Sequence, residues 1–377
     1  MIGRPAAAYV RGRDNNFTLA RFVAASLVIF THAFGVTGHG GSEPFRQAFG
    51  VSAGTWAVDV FFVMSGFLVT KSYDSRKALL PFAYARFMRI YPAMWVCVEV
   101  CVLLVGPMFT TLPWGDYARH VDTWKFVVAN ATLLPFGAIT GLPAVFEGHP
   151  VAGVNISLWT LPYELRMYVA TALLGLTGLL GRRWVVAAVF AACASAHFGL
   201  FGQLGASWEA YARLSYYFSA GAAAYAWRDH VPLAHAVALG LFAALGLSLA
   251  VPSVAVREVA LTVATPYLVL WFCLVPGGPI RRFNRLGDYS YGVYVYAFPV
   301  QQALVHFFPS WGVLLNATLS MFGTLALAVP SWHFVEKPAL DCKLPAWVAG
   351  SRRPAHAAPP QGDLLQPATA SDREAGA

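Results

Sequence analysis

Residues 16–36 read NFTLARFVAASLVIFTHAFGV, and the class of the fold turns on how this stretch is taken. The run from Phe17 to Val36 is apolar for about 20 residues, and at about 1.5 Å of rise per residue that matches a ~30 Å hydrocarbon layer. It is longer than the core of a cleaved leader, and Arg21 and His32 lie inside it, so it reads as a retained first membrane helix. Similar runs follow at 54–70, 90–106, 158–180, 184–204, 210–227, 232–251, 258–275, 289–308 and 313–334. The expectation is an all-α polytopic membrane protein, a bundle of about ten transmembrane helices.

Composition agrees. Of 377 residues, 58% are hydrophobic and 12% charged, whereas a soluble domain carries roughly 25% charged residues. The net charge of +8 does not form a basic stripe with interleaved aromatics, which argues against nucleic acid. Lys and Arg gather instead in short links between apolar runs: Lys71 to Arg89, Arg182–Arg183, Arg281 to Arg285, and Lys337 onward. Such clustering is what the positive-inside rule produces. The five cysteines show neither a disulfide framework nor a zinc spacing, and they read as small buried hydrophobes.

The same rule orients the chain. A further apolar stretch, 123–139, contains Asn130 and Pro135 and is short for a crossing. Letting it cross would place Arg182–Arg183 and Arg281 to Arg285 outside, so it reads as re-entrant or interfacial. Both termini are then cytoplasmic. The expected organisation is a cytoplasmic segment at 1–16, a membrane domain at 17–338 and a disordered cytoplasmic tail at 339–377, rich in Ala, Pro and Gln.

Within the apolar runs a few polar residues stand out. His32 lies near the outer end of the first helix, Asp59 about one and a half turns into the second, and Glu164 about two turns into the fourth. Counted this way, three titratable groups share one slab in the outer part of the membrane. Intramembrane carboxylates usually face a bundle interior or a water-filled cavity, and a carboxylate beside an imidazole suits general-base catalysis. The structural alternative is an inter-helix hydrogen bond that holds the bundle together. Arg86 and Arg89, in YARFMRIYP, are three apart on one face of a helix start. Paired guanidiniums suit phosphate, and ordinary positive-inside anchoring fits the pattern equally well. Arg166 and Arg213 receive no role. Gly66 is expected to permit close helix packing, and the Trp and Tyr residues near helix ends to form an interfacial belt.

Taken in order, the stretches NFTLARFVAASLVIFTHAF, VDVFFVMSGFLV, RFMRIYP, SLWTLPYELRMY, LGDYSYGVYVYAFPVQQ and VEKP resemble the acyltransferase-3 family of integral membrane acyltransferases. The resemblance runs from Asn16 to about Pro338. It implies transfer of an acyl group, commonly acetyl, from acyl-CoA as donor substrate to a carbohydrate or other hydroxyl acceptor, in the cell (inner) membrane and with no bound cofactor. By the same resemblance His32 is the catalytic residue, with Asp59 and Glu164 as its partners. Arg86, Arg89 and Ser65 fall to the acyl-CoA, and Trp159 and Tyr291 are supporting motif positions. One departure is visible: many members have a histidine two residues before the proline of the late tyrosine-rich motif, and this chain has Ala297. The competing reading is a transporter or flippase with a His–carboxylate proton relay. No repeat symmetry or paired broken helices of the usual transporter kind are visible.

Overall fold

A computed structural model describes residues 3–10, 14–133, 137–199 and 205–344. Most of the expected tail, Arg11, Arg13, Pro135 and the end of the 184–204 run lie outside the described residues. The helices are α1 (Phe17–Val36), α2 (Pro44–Phe49), α3 (Ala53–Arg76), α4 (Leu79–Val100), α5 (Gly106–Phe109), α6 (Trp114–Arg119), α7 (Val121–Thr132) and α8 (Leu161–Leu176). They continue with α9 (Arg183–Gly199), α10 (Ala206–Ala226), α11 (His235–Ser248), α12 (Val254–Leu274), α13 (Ser290–Phe307), α14 (Val313–Ser331) and α15 (Lys337–Asp341). Among the described residues five helical stretches are long and apolar enough to cross a membrane: 17–36, 53–76, 79–109, 254–274 and 313–341. The chain is a helical, multi-pass membrane protein.

α1 and α3 run antiparallel at the centre. Phe17 stacks on Phe67 at 5.9 Å, and the Gly54 amide donates to Thr31 Oγ1 at 2.7 Å. Ser52 caps α3 by accepting from the Thr55 amide, which fixes where the helix begins. On its other side α3 packs tightly against α10. A Cβ at Gly66 would collide with the Phe218 carbonyl oxygen, and one at Gly221 with the Val63 carbonyl oxygen. Small residues therefore let the two backbones touch, as in other membrane helix pairs.

One end of the bundle gathers the N-terminal segment and several links. Arg4–Pro5 pairs antiparallel with Pro232–Leu233, Lys71 donates to the Val10 carbonyl, and Arg281 bonds Asp14 at 2.6 Å. At the opposite end α2 is capped by Glu43 and Gly50 closes it in the left-handed conformation.

Residues 123–132 of the 123–139 stretch belong to α7, only 12 residues long, about 18 Å and too short to span. Tyr91 and Trp95 of α4 donate to the carbonyls of Thr132 and Ala131, fixing its last turn. From 137 to 155 the backbone is largely irregular; Glu147, Gly148, Pro150 and Ala152 are exposed, and the chain becomes buried from Gly153 onward. Asn155 is fully buried and donates to the Val295 carbonyl at 2.8 Å. Irregular backbone is tolerated inside a bilayer where protein covers it.

Candidate active site

Two cavities lie at different heights along α1. The one at the end that holds the N-terminal segment has a volume of about 100 Å³ and collects Arg21, Arg86 and Arg89 from α1 and α4 with Ser65, Glu164 and Tyr291. α4 begins at Leu79, earlier than the hydropathy run, so Arg86 and Arg89 sit within the helix and not at its start. Asp288, in the link before α13, accepts from Arg21 at 2.9 Å and from Arg89 at 3.0 Å through the same oxygen. Its other oxygen accepts from the Ser290 hydroxyl at 2.5 Å. Burial alone would raise the Asp288 carboxyl, but Arg21, Arg89 and Ser290 outweigh it and hold the group at about 2. Arg86 lies over the Tyr168 ring and Arg89 over the Tyr291 ring, at 5.6 and 5.8 Å. The Nε atoms of Arg21 and Arg86 are buried without a hydrogen-bond partner, so donors remain for an anionic ligand.

Glu164 belongs to this cavity. Ser65 donates to it at 3.1 Å and the Tyr168 hydroxyl donates to the same carboxylate oxygen. Tyr291 sits lower in the wall and donates to the Ile90 carbonyl at 2.9 Å.

His32 lines a second cavity, of about 130 Å³, toward the other end. Its ring meets Phe298 edge-on at 5.1 Å, and Nδ1 is buried without a hydrogen-bond partner. Thr31, Glu43, Arg46 and Ser52 also line this space. Glu43 is fully buried and is occupied by the amides of Arg46 and Ala53.

The structure does not bring His32, Asp59 and Glu164 together. The α1–α3 pairing sets His32 level with the start of α3. Asp59 is then about 9 Å deeper and Ser65, with Glu164 beside it, about 18 Å deeper. Asp59 faces Arg213 of α10, with Nε 3.5 Å away and the carboxylate side chain 3% exposed. Glu164 lies deep because α8 starts only after the chain has descended along α13, from Val151 and Gly153 beside Gln302 to Thr160 beside Tyr294. Trp159 points elsewhere, into a lateral cavity with Tyr163, Arg166, Trp208 and Tyr211.

Sequence reasoning passed over Arg21, Asp288 and Tyr294. For Arg21 a signal existed: it is eleven residues before His32, three turns plus about 20°, so both project from nearly the same face of α1, about 16 Å apart. Among the described residues no three His, Cys, Asp or Glu side chains gather as a metal site requires.

A polytopic helical bundle with a cationic chamber and a separate imidazole chamber on one helix face has the parts of a membrane-embedded group transferase. A family model described as an acyltransferase domain matches residues 14–333, and the chain belongs to this acyltransferase-3 family. It is 29% identical over 352 residues to a protein named O-acetyl transferase from Shigella phage Sf6, covering 88% of this chain and 98% of that one. It is 25% identical over 373 residues to nodulation protein 10 of Rhizobium leguminosarum bv. viciae, covering 90% and 96%. No solved structure matches the chain.

Proposed function

We propose that the protein is an O-acyltransferase that moves an acyl group, acetyl by preference, from acyl-CoA to a hydroxyl of a carbohydrate acceptor such as an exopolysaccharide, O-antigen or lipid-linked sugar. The observation that carries the reading is the alignment along α1 of Arg21 in the arginine chamber with His32 in the chamber beyond. A donor with an anionic nucleotide end and a thin thioester arm suits a cationic chamber with a second, imidazole-lined chamber beyond it on the same helix.

In this reading Arg86 and Arg89 bind the donor's phosphates with the free faces of their guanidiniums. Asp288 holds Arg89 in place, and Ser65 and Glu164 line the path of the arm. His32 accepts the proton of the acceptor hydroxyl as its oxygen attacks the thioester carbonyl carbon. The C–S bond then breaks, the ester forms, and the proton leaves with the CoA thiolate as the free thiol. Asp59, engaged with Arg213, fixes α3 against α10 and so sets the height of the His32 chamber. Tyr291 shapes the wall of the arginine chamber, and Trp159 lines the separate lateral cavity.

The positive-inside rule places the arginine chamber, the N-terminal segment and the link that holds Arg281 on the cytosolic side of the inner membrane. With ten crossings both termini are cytosolic. The donor then enters from the cytosol while His32 stands nearer the opposite face.

The test is acyl transfer in membranes with acetyl-CoA as donor, comparing wild type with Arg86→Ala/Arg89→Ala. The reading requires a raised donor KM in the double variant, at least tenfold, with activity recovering at high donor concentration. An unchanged donor KM refutes the phosphate assignment, and transport without acyl-CoA consumption favours the transporter.

A further inference from the structure

The two chambers are lined by the same two elements, one turn apart on each. On α13, Tyr294 lines the arginine chamber and Phe298 lines the His32 chamber. On the 3₁₀ segment Ile156–Thr160, Thr160 lines the first and Ile156 the second. Four residues of α13 correspond to about 6 Å, so only a thin septum divides the chambers.

The septum is built, not incidental. The Tyr294 hydroxyl and the Thr160 hydroxyl are hydrogen-bonded at 2.7 Å, and both residues are buried. Partly buried Phe61 of α3 lines the arginine chamber beside this pair, edge-on to the Tyr294 ring at 5.8 Å. On the far side Phe298 is fully buried and rests against His32. Three aromatic rings from α3 and α13 therefore stand between the arginines and the imidazole. A flexible aliphatic wall would yield to different ligands. Interlocked rings in a packed interior define a fixed volume.

We infer that this septum, Phe61 and Tyr294 above all, determines which acyl group the enzyme accepts. The inference rests on the acyl-CoA reading. A thioester rising from the arginine chamber must place its acyl carbons in the septum to come within reach of a hydroxyl activated by His32. A two-carbon acyl group asks for little more room than the rings leave. Each additional methylene must displace the Phe61 or Tyr294 ring, and neither ring can withdraw without breaking its packing. A hydrophobic pocket discriminates by about 10- to 200-fold per methylene, and that is the range expected between acetyl and its longer homologues.

The experiment measures transfer rates with acetyl-, propionyl- and butyryl-CoA in membranes, normalised to the amount of folded protein. Wild type is expected to prefer acetyl to butyryl by well over tenfold. Phe61→Leu shortens the wall by several carbons and is expected to narrow that ratio at least tenfold. Phe61→Trp is expected to widen it. Tyr294→Phe keeps the ring and loses the hydroxyl, so it should leave the ratio within a few-fold of wild type even if the rate falls. Wild-type transfer of butyryl as fast as acetyl overturns the inference. So does an active Phe61→Leu enzyme with an unchanged ratio, and so does a change in Tyr294→Phe as large as that in Phe61→Leu. Absence of transfer from all three donors overturns the acyl-CoA reading itself, which is a different result.

Discussion

Asp288→Asn removes a single negative charge from between two guanidiniums, and the consequence is calculable in order of magnitude. Arg21 and Arg89 reach the same oxygen at 2.9 and 3.0 Å, and the carboxylate side chain is only 12% exposed. A carboxyl held at about 2 against an ordinary 3.8 corresponds to about 2 kcal/mol at 1.36 kcal/mol per pH unit. Removing one partner of a buried ion pair costs about 3–5 kcal/mol, because the other charge is left uncompensated. Asparagine keeps an oxygen for Ser290 but supplies no charge. The expected loss is therefore about 2–4 kcal/mol, a drop of several degrees in Tm for purified protein in detergent. The pH dependence has a definite sign. The folded-state carboxyl is depressed, so its contribution is complete above the ordinary carboxylate range and is lost as pH falls from about 4 through about 2. Asp288→Asn should be correspondingly less sensitive over that window. Paired with Arg21→Gln or Arg89→Gln, it should also show a coupling above 1 kcal/mol in a double-mutant cycle. Wild-type Tm in the single variant, or losses that add to within about 0.5 kcal/mol, would refute the reasoning.

Gly66→Leu drives a side chain into the Phe218 carbonyl and should abolish accumulation in the membrane, whereas Gly240→Ala, where added atoms meet open space, should accumulate normally by immunoblot. Arg213→Leu leaves the buried Asp59 carboxylate without its cation and should lower Tm more than Asp59→Asn/Arg213→Leu does. Equal losses in the two would show that the pair does not couple α3 to α10.

Hydropathy made most helices legible, because a run of about 20 apolar residues has few other uses. The histidine signal was legible for the same reason, since an imidazole in such a run is out of place. Depth was not. Counting turns from Ser157 put Glu164 near the outer surface, but the chain from 151 to 160 descends along α13 before α8 begins. Hydropathy does not distinguish a full span from a shorter helix entered by buried coil. Asp59 was correctly seen as a buried acid, while its partner Arg213 lies on α10 and had no assigned role. The Arg21–Asp288–Arg89 bridge joins three distant parts of the chain, and nothing in local spacing announces it. Gly66 was read from small-residue packing and does meet α10 as expected.

The central claim is that His32 activates the acceptor for attack on an acyl-CoA thioester. It is tested most directly by transfer of radiolabel from acetyl-CoA to envelope glycan in membranes holding matched amounts of wild type and His32→Ala. The account predicts label in the wild type and a loss of at least a hundredfold in the variant, with insertion and Tm preserved. Label at the wild-type level in His32→Ala would contradict it.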